Sequence, residues 1–175
     1  GQIDVLTSMD NQWSPQINLG VSVLIPETYV SDLDVRLGLY RRLSNLNKKV
    51  EFEGFAAELI DRFGKLPSEV NTLLLVVRIK SVCKKAGIGK LDGGPKGATV
   101  QFYNDKFISP EGLVEFIKNQ NGTAKIKDNK LIIRRDWKKN SDKFKGAFAI
   151  ARDLAEIAAS FEKNIQKKQK SNFLN

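Results

Sequence analysis

The sequence predicts an α+β fold: a helical N-terminal half, a strand plus three helices, packed on a small ββαββα C-terminal half with a long last helix. Three observations carry this. Apolar residues recur with a helical period between residues 34 and 86. The period changes to alternation from Ile88, punctuated by Gly93-Gly94-Pro95 and Asp128-Asn129. A helical period then returns from residue 141 to residue 163.

Ile17, Leu19, Val21 and Val23 alternate with Asn18, Gly20 and Ser22, which predicts a strand with one buried face, closed by Pro26. Asp32 or Asp34 can cap a helix over about 34–46, with Val35, Leu39, Leu43 and Leu46 inward and Arg36, Arg41 and Arg42 outside. A second helix follows over about 51–63, with Gly64 placed as its left-handed C-terminal cap. Pro67 starts a third, which runs to Ala86 and is apolar around much of its circumference, so it is expected to be the central, most buried helix.

Beyond Gly87, residues 88–91 and 98–103 predict a hairpin around Gly93-Gly94-Pro95. Ser109-Pro110 supplies an N-cap and a first-turn proline for a short helix that buries Leu113, Phe116 and Ile117 and ends at Asn121-Gly122. Residues 123–127 and 130–134 flank Asp128-Asn129, a two-residue loop tolerant of positive φ, and predict a second hairpin. The last helix, about 141–163, turns Phe144, Phe148, Ala151, Leu154, Ala155, Ala158 and Phe161 inward. Residues 1–15 are polar and aperiodic and read as a linker remnant, with Trp13 tacked onto the body. A single domain is expected over 16–165, followed by a basic tail, 166–175, expected to be disordered.

Composition removes whole classes of function. The 175 residues include no histidine and a single cysteine, so the commonest general base and the commonest metal ligand are missing and a zinc site has no donors. Neither phosphate-cradling glycine motif occurs, so no catalytic, cofactor-binding or metal-binding residue is expected. The chain has no run of eighteen apolar residues and no secretion signal, and Cys83 lies in an apolar helical pattern; these point to no membrane and to a cytoplasmic, bacterial-type setting. The net charge of +9 is compatible with nucleic acid or with a lysine-rich solvated surface, and four of the lysines lie within 163–170.

The second helix carries the main candidate site. Its apolar residues Phe52, Phe55, Ala56, Leu59, Ile60 and Phe63 form a one-sided stripe. Glu51, Gly54, Glu58 and Asp61 follow at spacings of three or four on another side: an acidic strip with a side-chain-free notch where a partner can approach closely. Spacing alone leaves three readings: a solvated helix face with Arg62 and Lys65 as neighbours, a protein-docking face and, weakest, an acid-base pair without a cleft. Arg134, Arg135, Lys138 and Lys139 surround Trp137, a combination that fits a solvated connector or a nucleic-acid contact. Cys83 reads as a core residue.

The chain resembles the family of C-terminal (TRCF) domains of the bacterial transcription-repair coupling factor, Mfd. The resemblance rests on Leu24-Ile25-Pro26-Glu27 with Tyr29-Val30 and Asp32, on Arg36-Leu37 with Leu39-Tyr40-Arg41-Arg42-Leu43, on Glu58 through Gly64 with Leu66-Pro67, and on Ile88-Gly89-Lys90-Leu91. It covers most of residues 19–92; residues 98–160 agree in pattern more than in identity. It implies a parent that is an ATP-driven DNA translocase, with ATP and Mg held by a motor whose motifs are absent here. Residues 1–15 would then be the link to that motor. The implied role is regulatory and non-catalytic: packing on an N-terminal UvrB-like module and masking its UvrA-binding surface until the parent engages stalled RNA polymerase and DNA, with Glu58 and Asp61 as the acidic contacts. The fragment by itself is expected to be a monomer. The alternative is a basic accessory domain that contacts DNA.

Overall fold

The computed structural model describes residues 13–174, so most of the segment read as a linker remnant lies outside the described residues. In chain order the elements are β1 (Gln16–Asn18), α1 (Leu33–Ser44), α2 (Lys49–Phe63), α3 (Ser68–Ala86), β2 (Ile88–Gly94), β3 (Gly97–Phe102), a 3-10 turn (Tyr103–Asp105), α4 (Pro110–Lys118), β4 (Ala124–Lys127), β5 (Lys130–Arg134) and α5 (Asn140–Leu174). The fold is α+β, as the change of period requires.

Helix α3 joins two cores because it is apolar on more than one side. Val70, Leu73 and Val77 pack with Leu39, Leu43, Phe52, Phe55 and Leu59 in a helical cluster. Val76, Ile79, Cys83 and Ala86 pack with Leu91, Val100, Leu131, Ile133 and Leu154 in a second cluster built on the sheet and α5. Each large apolar side chain taken out of water contributes about 1.5–3 kcal/mol. The halves are therefore tied through one helix.

The five strands form one sheet in the order β1-β2-β3-β5-β4; β1 runs parallel to β2 and the other pairs are antiparallel. Three sequence expectations change here. The first strand is only three residues long and belongs to this sheet rather than to the helical half. Gly20, at φ +71°, turns the chain off the sheet, so the alternation through Val23 has no ladder to join. The first hairpin is longer than its alternation suggests: Gly93 and Gly94 are strand residues, Gly94 pairs with Gly97, and Pro95-Lys96 make the turn. Finally, α5 continues to Leu174, so the basic stretch expected to be disordered is helical and exposed from residue 162 onward.

Local chemistry explains most ends. Asp32 Oδ1 accepts from the Val35 N–H (2.9 Å) to cap α1, and Ser109 Oγ accepts from the Gly112 N–H (3.1 Å) to cap α4, with Pro110 in the first turn. Asp128 and Asn129 both take positive φ, 53° and 61°, as a two-residue hairpin demands. The left-handed cap belongs to Gly87 (φ 73°, ψ 23°); Gly64 instead adopts φ 92°, ψ −168°, a region reserved for glycine but not the helical one expected. Trp137 is buried in the connector between β5 and α5, where its indole lies so close to Gly146 that a Cβ there would collide with it. Trp13 stacks on Tyr103 with ring centroids 4.3 Å apart.

Arg36, expected outside from its helical spacing, is buried. Its guanidinium donates to the carbonyls of Val30 (2.7 Å) and Ser31 (3.1 Å), because the loop 26–31 folds over the start of α1 and leaves those oxygens facing inward.

Candidate docking surface on the second helix

Helix α2 turns Phe52, Phe55 and Leu59 into the helical core, so its other sides are left accessible. Glu51, Gly54 and Asp61 are exposed and Glu58 is half-buried, the arrangement their spacing predicts. The buried stripe is narrower than the apolar pattern. Ile60, expected inward, is 50% exposed, and Val50, one turn before Gly54, is 68% exposed. Sequence reasoning left both out of the candidate surface; Val50 was legible as an apolar residue lying away from the stripe.

The four predicted residues do different work. Glu51 Oε1 accepts from the backbone N–H groups of Lys48 (2.9 Å) and Asn47 (3.3 Å), so it closes the N-terminus of α2, and these backbone donors pull its carboxyl below the ordinary range. Gly54 is an open notch: a Cβ built there meets nothing within 4 Å. Asp61 makes no ion pair among the described residues.

Glu58 is neutralised from within the chain. Arg42, at the end of α1, grips it with both guanidinium nitrogens (2.6 and 2.8 Å), and Arg62, one turn along α2, adds a third bond at 3.1 Å. The Arg42 bonds, followed by those from Arg62, bring the Glu58 carboxyl down from 4.5 to about 2. Arg42 also lies over the Phe55 ring (5.1 Å), and Arg62 over Phe63 (4.8 Å), which limits the freedom of both. The strip is therefore not a free acidic ridge. It is an exposed notch at Gly54 with Val50 one turn before it and Ile60 exposed farther along the helix, Asp61 as an acid, and an Arg42–Glu58–Arg62 group of net charge +1 at its side.

The basic connector is similarly divided. The Arg135 guanidinium donates to Thr123 Oγ1 (2.8 Å), to the Arg134 carbonyl and to Gln120 Oε1, and so is consumed in holding the connector to the end of α4. Lys138 lies 3.8 Å from Asp136, while Arg134 and Lys139 are exposed. No group of three or more His, Cys, Asp or Glu able to hold a metal ion occurs among the described residues, and no helix among them is long and apolar enough to cross a membrane.

Comparison with known proteins supplies the family. The TRCF domain model matches residues 19–113. A transcription-repair-coupling factor of Rickettsia bellii is 47% identical over 126 residues, 71% of this chain and 11% of that protein; the one of Escherichia coli is 33% identical over 105 residues, 60% of this chain and 9% of that protein. The chain thus spans only about a tenth of the length of these relatives. A crystal structure of the C-terminal domain of a transcription-repair coupling factor superposes with a TM-score of 0.70 at 23% identity, covering 85% of this chain and 96% of that one, and shares the fold. With the family model covering more than half of its residues, the chain belongs to the TRCF domain family of transcription-repair coupling factors.

Proposed function

We propose that this chain is the non-catalytic regulatory module of a coupling factor acting in transcription-coupled excision repair. In this reading it docks on the UvrB-like N-terminal module of the same protein and masks that module's UvrA-binding surface until the parent engages stalled RNA polymerase and DNA through its other domains. Nucleotide and Mg would be used by the motor of the parent and not by this chain. The observation that carries the reading is the accessible surface of α2, where Gly54 leaves a notch with nothing within 4 Å, Val50 is 68% exposed one turn before it and Ile60 is 50% exposed farther along.

The pieces suit a reversible contact. Covering Val50 and Ile60 contributes on the order of 1 kcal/mol each, since both are already partly covered. A carboxylate offers about four lone-pair positions, and Glu58 uses three, which leaves one for a donor from the partner. Exposed ion pairs add about 0–1 kcal/mol each. A latch of this size holds as one part of a large protein, where the effective concentration is high, and opens when polymerase and DNA favour the open arrangement.

The experiment is binding of this chain to the isolated UvrB-like module, with and without Val50→Lys and Asp61→Lys, together with UvrA affinity of the full-length parent carrying the same pair. Both residues are exposed, so the fold persists. The reading requires weaker docking and tighter UvrA binding in the double variant. Unchanged values in both assays, or no docking by the unaltered chain, would end it.

A further inference from the structure

Among the described residues, only one face of the sheet is covered. Leu91, Val100, Leu131 and Ile133 point into the core with α3 and α5, while the residues that alternate with them stay accessible. Register gathers Lys90, Lys125, Lys127, Lys130 and Arg134 on this accessible face, against one carboxylate among the described strand residues, that of Asp92, which Lys90 approaches at 3.8 Å. Lys127 stands directly opposite Lys130 across the β4–β5 pair. Like charges so placed destabilise a sheet, and among the described residues no acid on this face separates them.

Edge lysines have an ordinary use in deterring strand pairing, and β4 is an edge. That use does not extend to Lys130 and Arg134 on β5 or to Lys90 on β2, which are interior strands. Beside Lys125 and Arg134 the sheet carries a trough of about 590 Å³, bounded also by the Gly94–Gly97 corner, Thr99 and Thr123. The Thr99 hydroxyl there, and the Gln101 amide beside Lys90, are hydrogen-bond donors suited to phosphate oxygens.

We propose that this open sheet face is a sequence-independent contact for the phosphate backbone of double-stranded nucleic acid. Three features select that occupant. The cations spread over three strands instead of lining one edge, which fits a charged surface better than an added peptide strand. Ile132 is the one large apolar residue among them, whereas the centre of a protein interface is depleted in charge and rich in apolar area. Among the described residues no aromatic ring lies on the face, so a single strand would find no stacking platform there. The site is separate from the α2 face and does not depend on the docking proposed there.

The test is fluorescence anisotropy of a labelled 30-base-pair DNA duplex of arbitrary sequence with the 175-residue chain, titrated with salt. Binding at 50 mM salt is expected to weaken steeply as salt rises. Lys125→Glu with Lys127→Glu and Lys130→Glu is expected to weaken it at least tenfold, while glutamines at Lys163, Lys167, Lys168 and Lys170 on the exposed end of α5 leave most of it intact. Should the triple reversal unfold the chain, Lys125→Gln with Lys130→Gln is expected to lower the slope of log affinity against log salt by about 1.8. Absence of duplex binding at 50 mM salt overturns the proposal. So does binding that survives the sheet substitutions and vanishes with the α5 ones, or a poly-glutamate chain that binds more tightly than the duplex.

Discussion

Arg42 holds Glu58 from one helix to the next, guanidinium against carboxylate, at 2.6 and 2.8 Å. The pair links α1 to α2 beside the candidate docking face, and it makes that link sensitive to acid. The Glu58 carboxyl titrates near 4.5 when free and near 2 in the fold. A carboxyl depressed on folding adds stability above its free value and loses it as pH falls toward its folded value. Glu58 is 36% exposed and Arg42 49%, so solvent screening reduces the gain to about 1 kcal/mol or less. Urea unfolding of the chain and of Glu58→Gln should differ by that amount at pH 7, and the difference should close between pH 4.5 and 2. A constant difference across that range would show that the substitution acts through packing and not through the ion pair.

Gly54 separates folding from docking. Glycine inside a helix costs about 0.5–1 kcal/mol relative to alanine, and a Cβ here meets nothing within 4 Å, so Gly54→Ala should stabilise the isolated chain. If a partner backbone enters the notch, the same methyl group should weaken docking on the UvrB-like module several-fold. Gly38 in α1 is also open and is the control: Gly38→Ala should stabilise the chain and leave docking unchanged. Thermal unfolding reads the first effect and calorimetric titration the second. Equal docking by both variants would place the interface elsewhere.

Features decided by local chemistry were legible in the sequence. The Asp128-Asn129 hairpin, the Ser109-Pro110 helix start and the central position of α3 each follow from a few neighbouring residues. Features decided by a distant partner were not. Val21 and Val23 alternate like a strand, but a strand needs a neighbour, and the ladder with β2 stops at Asn18 opposite Asp92. Arg62 was legible as a neighbour of Glu58 because it lies one helical turn away. Arg42 was not, since its approach depends on how two helices cross. Glu51 was hidden as a cap because Lys48 stands before the helix, where a capping box shows serine or threonine. The α5 extension misled through composition: a run of lysines and glutamines reads as solvated, which it is, and solvation does not prevent a packed helix from continuing.

Arg36 illustrates a buried cation held by backbone. Its side chain serves the Val30 and Ser31 carbonyls, and its contact with Glu27 is long, 3.5 Å, to a carboxylate side chain that is 82% exposed. The carbonyl bonds should therefore dominate. Arg36→Met keeps much of the apolar stem but strands both oxygens, and should cost about 1–3 kcal/mol in urea unfolding. Glu27→Gln should cost a few tenths of a kcal/mol at most. A larger loss for Glu27→Gln than for Arg36→Met would reverse this ordering and make the ion pair the chief support.

Cys83 reports on the joint between the two cores. It lies on α3, is fully buried beside the sheet, and burial pushes its thiol up to about 12. Since the thiolate is the reactive form, a thiol reagent such as 5,5′-dithiobis(2-nitrobenzoate) should leave the folded chain unmodified at pH 8. Modification should proceed only through opening of the sheet core, so its rate should rise with urea in step with unfolding. Cys83→Ala removes a small apolar group and should cost about 1 kcal/mol, while Cys83→Ser should cost more, because the hydroxyl enters an apolar cluster and must find a hydrogen-bond partner. If labelling in the absence of urea is as fast as in the unfolded chain, α3 does not hold the two cores together in solution.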